Sequence, residues 1–236
     1  DTLGLPVQPN VEWHFADSLD VDTLVTVYRN YGQTTLTTGL TNVNVPALSE
    51  GILKKDQSSV LFDGTNDYLQ INDPTVEDFT TGSFSIMTWV KLKSVVASSF
   101  LVNKRTTPSA GWGSGYSLWY RSGSTSFAFL AEDAAHKRVF PIGTTVPSVN
   151  RWYCVAVTFD GTSKACSLYV NGTFDEDSTT ADLGSITDST RLKIGYAYIG
   201  GTAIYSNMNC ANTMIWNGTR LTSAQVLALT TAMMPT

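Results

Sequence analysis

The groups best suited to acid–base chemistry in this chain are its carboxylates and its two histidines, His14 and His136. Glycoside cleavage with retention needs two carboxylates about 5–5.5 Å apart facing one cleft, which on a single strand means acids at alternating positions. The acids instead gather between Asp17 and Asp22 and in Asp175-Glu176-Asp177. Both runs read as turns, the second just past Asn171-Gly172, and loop acids of this kind are solvated. His136 falls in the polar run Glu132-Asp133-Ala134-Ala135-His136-Lys137-Arg138, a hairpin turn, and His14 sits between Trp13 and Phe15 on an opening strand. Neither has a nucleophile at a recognisable spacing, so the chain is read as carrying no catalytic residue. The cysteines, Cys154, Cys166 and Cys210, form no C-x-x-C, and zinc is not suggested. Cys154 and Cys166 flank an expected hairpin, where strand register decides whether a disulfide forms.

Recognition of sugars draws on other residue types: flat aromatic faces for stacking, with amides and carboxylates for the hydroxyls, on loops at one rim. Two stretches offer these. Gly111-Trp112-Gly113-Ser114-Gly115-Tyr116 is a glycine-rich loop that can present Trp112 and Tyr116. Tyr196, Tyr198 and Tyr205 flank Gly200-Gly201, with Asn207 close by in sequence. Tyr116, Trp119 and Tyr120 also read as a strand, whose alternation must bury some of them. Trp13, Trp89, Trp152 and Trp216 sit in strand motifs and are expected in the core.

The charge balance narrows the partners. With 15 Lys and Arg against 20 Asp and Glu, the net charge is −5, and no basic run exceeds a pair. A nucleic-acid surface needs a basic face to neutralise phosphates, so that partner is not expected. No apolar stretch is long enough to span a bilayer.

Period-two patterns bounded by Gly, Asn, Asp and Ser must position these residues. Phe84-Ser85-Ile86-Met87-Thr88-Trp89-Val90 and Tyr153-Cys154-Val155-Ala156-Val157-Thr158-Phe159 are the clearest strands. Asp63-Gly64, Asp160-Gly161, Asn171-Gly172 and Asn217-Gly218 are read as supplying the positive-φ residues of tight hairpins. Asn171-Gly172-Thr173 and Asn217-Gly218-Thr219 also satisfy the N-glycosylation sequon. The one helical signal spans 221–229, with Thr222 or Ser223 as its cap. The expected architecture is all-β: a two-sheet antiparallel jelly-roll sandwich closed by a short C-terminal helix, with residues 1–10 an extended lead-in and 11–236 a single domain.

Several motifs occur together in a recognisable order. Ser59-Val60-Leu61-Phe62-Asp63-Gly64 runs on to Asp67-Tyr68-Leu69; Trp89-Val90-Lys91 ends a strand. Arg151-Trp152-Tyr153 leads through Phe159-Asp160-Gly161 to Leu168-Tyr169-Val170-Asn171-Gly172, and Ile215-Trp216-Asn217 precedes the helix. In this order they resemble a laminin-G-like domain of the concanavalin A-like lectin/glucanase superfamily, with Cys154 where that pattern usually has His. The glucanase strand Glu-x-Asp-x-x-Glu is missing, as are the Gln-x-His and Tyr-rich strands of the lyases. The resemblance implies a structural Ca²⁺, sought first at Asp17, with Asn212 standing where relatives place an acid on the final strand. The loop that carries the pentraxin calcium ligands falls near 195–201, which holds no carboxylate. The resulting expectation is a non-catalytic binding module, extracellular or exposed on a virion or cell surface, recognising glycan through Trp112, Tyr116, Tyr196, Tyr198, Tyr205 and Asn207. The rival expectation is a structural surface protein, such as a virion decoration, fibre or surface-layer component, whose partner is another protein surface and which forms a homo-oligomer.

Overall fold

Strand Phe84–Leu92 is buried along almost its whole length, with no alternation of buried and exposed positions. A strand reads that way only when both faces of its sheet are covered. The computed structural model of this chain describes residues 59–71, 74–75, 77–107 and 113–233, together with short backbone strands at Val11–His14, Val27–Tyr28, Leu40–Val43 and Ala47–Ser49. In chain order those four strands are β1 to β4. They are followed by β5 (Ser59–Asp63), β6 (Tyr68–Gln70), β7 (Phe84–Leu92), β8 (Ser99–Thr107), β9 (Gly115–Arg121), β10 (Ser126–Glu132) and β11 (Arg138–Val139). Then come β12 (Trp152–Phe159), β13 (Ala165–Val170), β14 (Thr173–Thr179), β15 (Lys193–Ile194), β16 (Tyr196–Ile199), β17 (Thr202–Tyr205), β18 (Asn207–Asn217) and the helix α1 (Ser223–Met233).

Two sheets form the sandwich. The first runs β14-β13-β12-β7-β18-β5-β4, and the far end of β18 also pairs with β1. The second runs β11-β10-β9-β8-β15-β6-β3-β2, with the hairpin β16–β17 joined to the end of β8. Between the sheets the core is aromatic. Phe79 and Phe84 stack at 4.0 Å, Tyr116 stacks on Phe79 at 4.6 Å and Phe159 on Phe84 at 5.0 Å. Each such side chain, fully buried, contributes about 1.5–3 kcal/mol or more by leaving water.

The helix covers the other face of the first sheet. Met87, Trp89, Met214 and Trp216 point outward from β7 and β18 and are sealed by Leu221, Val226, Leu229 and Met233. Its start is a capping box: the Gln225 N–H donates to Thr222 Oγ1 (3.3 Å) while the Thr222 N–H donates to Gln225 Oε1 (2.8 Å). Thr222 is therefore the cap expected from sequence, and the helix runs one turn further than 229.

Register corrects some local readings. Asn171-Gly172 is the expected tight hairpin, with φ of 53° and 80°. Asp160-Gly161 is not. The positive φ there belongs to Lys164, and Gly161 is needed because a Cβ on it would lie 2.6 Å from the Thr81 carbonyl oxygen. Asp175-Glu176-Asp177, read as a turn, lies within β14, the edge of the first sheet. Charged residues on an edge strand discourage pairing with another chain. Cys166 stands opposite Phe159 in register, five residues along β12 from Cys154, so the two sulfurs lie on the order of 15 Å apart and cannot bond. All three thiols are free and buried.

Candidate functional site

On the second sheet, β9 alternates as a strand must: Tyr116, Leu118 and Tyr120 enter the core while Ser117, Trp119 and Arg121 face outward. Trp119 stands between Phe100 on β8 and Ala128 on β10 in register. The small Ala128 leaves the indole room beside it. Phe100 and Phe140 lie nearly parallel to the indole, at 5.9 Å and 5.7 Å between ring centres. The β16–β17 hairpin adds Ile199 and Ile204, held in place by the parallel pairing of β16 with β8. Together with Leu130 these residues line a groove of about 300 Å³, at the small end of ligand clefts. Trp119 is 9% exposed, so only a strip of its ring meets the opening.

Two arginines border this apolar floor. Arg105 is fixed: its Nε donates to the Gly113 carbonyl (2.8 Å) and its Nη2 to Glu132 Oε2 (2.8 Å). Burial pulls its pKa down, and the adjacent Glu132 carboxylate pulls it back up. Glu132 is itself fully buried, and its other oxygen meets His136 Nδ1 at 3.0 Å. A buried carboxylate held on both oxygens is a strut, and removing one partner would cost about 3–5 kcal/mol. Arg121, by contrast, lies over the Phe140 ring at 6.0 Å from its centre.

The opposite face of the β16–β17 hairpin carries a second aromatic surface. Tyr196 and Tyr205 face each other across the hairpin, and Tyr68 from β6 joins them, stacked on Tyr196 at 4.6 Å. Lys193 Nζ sits 4.9 Å from the centre of the Tyr196 ring. Partial burial, then the neighbouring Tyr205, raises the phenol pKa of both Tyr68 and Tyr196. Tyr198 is 43% exposed on the same face of the hairpin.

A separate polar cleft of about 350 Å³ is lined by Pro74, Asp78, Ser114 and Asp188, among others. Below it the buried Lys104 ammonium donates to the carbonyls of Pro74 (2.6 Å), Asp188 (2.9 Å) and Thr190 (2.8 Å) and pairs with Asp78 (3.0 Å). Four oxygens around one positive charge is the arrangement a hard metal ion would seek. Here an ammonium fills it.

A family model for the concanavalin A-like lectin/glucanases superfamily matches residues 63–226, more than half of the chain. The chain belongs to that superfamily. Comparison with curated protein sequences returns no match. Among solved structures, the binding domain of Paraclostridial Mosquitocidal Protein 1 aligns over 94% of this chain and 52% of its own, with TM-score 0.69 and 15% identity. The botulinum neurotoxin serotype D binding domain aligns over 95% and 50%, with TM-score 0.63 and 11% identity. A further serotype D ligand binding domain, in complex with N-acetylneuraminic acid, aligns over 95% and 50%, with TM-score 0.65 and 12% identity. At these identities the likeness is one of fold, and the chain spans about half the length of each neighbour.

Within this concanavalin A-like frame the residues singled out from sequence fare differently. Tyr116, expected at a ligand rim, is wholly buried in the core, its hydroxyl donating to the Glu77 carbonyl (3.0 Å). Tyr196, Tyr198 and Tyr205 do share one face of a surface hairpin, and Asn207 stands at the start of β18 opposite Asp63. Trp112 and Asp17 lie outside the described residues. Asn212 is fully buried on β18, in register with Trp89 and with His14 of β1, and its amide has no hydrogen-bond partner among the described residues. No three His, Cys, Asp or Glu side chains gather to hold a metal among the described residues. Phe100 and Phe140 were not singled out, and Trp119 and Tyr68 entered only as strand residues. For Trp119 a signal existed: once Tyr116 and Tyr120 point inward, alternation sends Trp119 out.

Proposed function

We propose that this domain is a non-catalytic binding module that recognises glycan in the Trp119 groove, on an extracellular or particle surface. The observation that carries the reading is the groove itself: an indole flanked by Phe100 and Phe140 on the outer face of the second sheet, walled by Ile199 and Ile204. Aromatic and aliphatic walls take up the C–H faces of a sugar ring, and a few polar groups at the margin fix its orientation. No acid is among the described residues lining the groove, and Glu132 beside it is buried with both oxygens engaged. That favours binding over hydrolysis, which needs two available carboxylates. The sialic acid complex of a structural neighbour supports the ligand class without assigning it to the matched half. A structural calcium ion held by Asp17 and Asn212 is a further proposal, which rests on the family resemblance alone.

The test is a glycan array followed by calorimetry on the intact chain and on Trp119→Leu, which keeps apolar packing and removes the aromatic surface. The expected result is binding that weakens about tenfold or more in the variant, with the near-ultraviolet circular dichroism of the fold retained. Unchanged binding by Trp119→Leu would move the site elsewhere, with the Tyr68, Tyr196 and Tyr205 surface next to be tested. A stable oligomer that covers the groove would favour assembly over glycan recognition.

A further inference from the structure

The hydrogen-bonding capacity left over in the groove narrows what it can hold. Of its polar side chains, Ser117 donates to Asn103 Oδ1 (2.6 Å), and Ser98 pairs with Ser122 Oγ (3.2 Å) while accepting from the Ser122 N–H (3.1 Å). Arg105 is spent on Gly113 and Glu132. Glu132 is fully buried and turns both oxygens away to Arg105 and His136. Arg121 is different. Its guanidinium rests near the Phe140 ring, and no carboxylate pairs with it among the described residues.

A neutral sugar offers hydroxyls that both give and take hydrogen bonds, and sites for such sugars supply acceptors as well as donors. Among the described residues this groove supplies one positively charged fork of five N–H donors beside apolar walls, while its side-chain acceptors are the Ser98 and Ser117 hydroxyl oxygens, each already held in a hydrogen bond. The complement is an anionic group with several oxygens, which an arginine can hold with two parallel hydrogen bonds. The protein as a whole is negative, with a net charge of −5, so a preference for anions has to be local to this groove.

We infer that the groove selects an acidic sugar unit, with its carboxylate or sulfate on Arg121 and its ring against Trp119 and Phe140. This rests on the glycan reading of the same groove and adds the charge of the ligand. The geometry also separates the two arginines: Arg105 holds Glu132 and builds the floor, and Arg121 is the specificity-determining residue.

The experiment measures calorimetric affinity for three acidic probes, a sialyl-terminated oligosaccharide, an oligouronate and a sulfated oligosaccharide, and for the neutral parent of each. Wild type, Arg121→Gln, Arg121→Lys and Trp119→Leu are compared. Wild type is expected to prefer the acidic probes, and Arg121→Gln to lose about tenfold or more on them, with a smaller loss on the neutral parents. Arg121→Lys should keep part of the preference, because it retains the charge without the planar fork. The carboxylated and sulfated arms tell which anion is preferred. Equal affinity for acidic and neutral probes, or no effect of Arg121→Gln, overturns the inference and leaves the glycan reading standing. Binding of no probe by wild type overturns both.

Discussion

The two sheets treat their outer faces in opposite ways. On the first sheet, Met87, Trp89, Met214 and Trp216 are closed under α1, and β7 and β18 are buried on both sides. On the second, Trp119 and its neighbours line an open groove walled by Ile199 and Ile204. Both faces are built from tryptophan beside smaller apolar residues, so composition alone does not tell them apart. What separates them is a covering element. A helix that seals a face commits its aromatic residues to stability, whereas a hairpin that only walls a face leaves part of its aromatic surface open.

The sharpest way to break this contrast is at Trp216, which is fully buried. Trp216→Ala is expected to destabilise the fold by about 3–5 kcal/mol, measured by chemical denaturation, because the space it leaves lies under a helix and between strands that cannot collapse into it. A loss below about 1 kcal/mol would mean that α1 does not seal that face.

A smaller effect is expected from pH at Glu77, whose carbonyl accepts from the Tyr116 hydroxyl. Glu77 is 7% exposed, one of its oxygens has no hydrogen-bond partner, and burial lifts its pKa to about 7. A carboxyl with a raised folded-state pKa binds its proton more tightly folded than unfolded. It therefore costs stability as pH rises from about 4.5 to about 7, by up to about 3 kcal/mol. Glu77→Gln should remove that slope and raise the melting temperature at pH 8. A variant whose pH profile matches wild type would place the buried charge elsewhere.

Much of the fold was legible in residue order, and the site was less so. Strands such as Phe84–Leu92 and Trp152–Phe159 declare themselves by apolar runs between turn residues, and Thr222 with Gln225 marks the helix start. The acids of 175–177 mislead because an exposed edge strand carries the same residue types as a loop. Asp160-Gly161 misleads because its glycine answers to a neighbour's backbone and not to its own φ. The groove escapes because Phe100, Trp119 and Phe140 come from separate stretches, and Tyr68 meets Tyr196 across a long separation in sequence. Such meetings depend on sheet register, which turn chemistry and periodicity do not encode.

The central claim is that the open face of the second sheet, and not the sealed face of the first, meets the ligand. Titrating a ¹⁵N-labelled sample with a sialyl-terminated oligosaccharide and following the indole N–H of each tryptophan and the side-chain Nε–H of Arg121 tests it directly. The Trp119 and Arg121 signals are expected to shift together and saturate, while those of the buried Trp89 and Trp216 stay in place. Saturable shifts at Trp89 or Trp216 with Trp119 silent would contradict it.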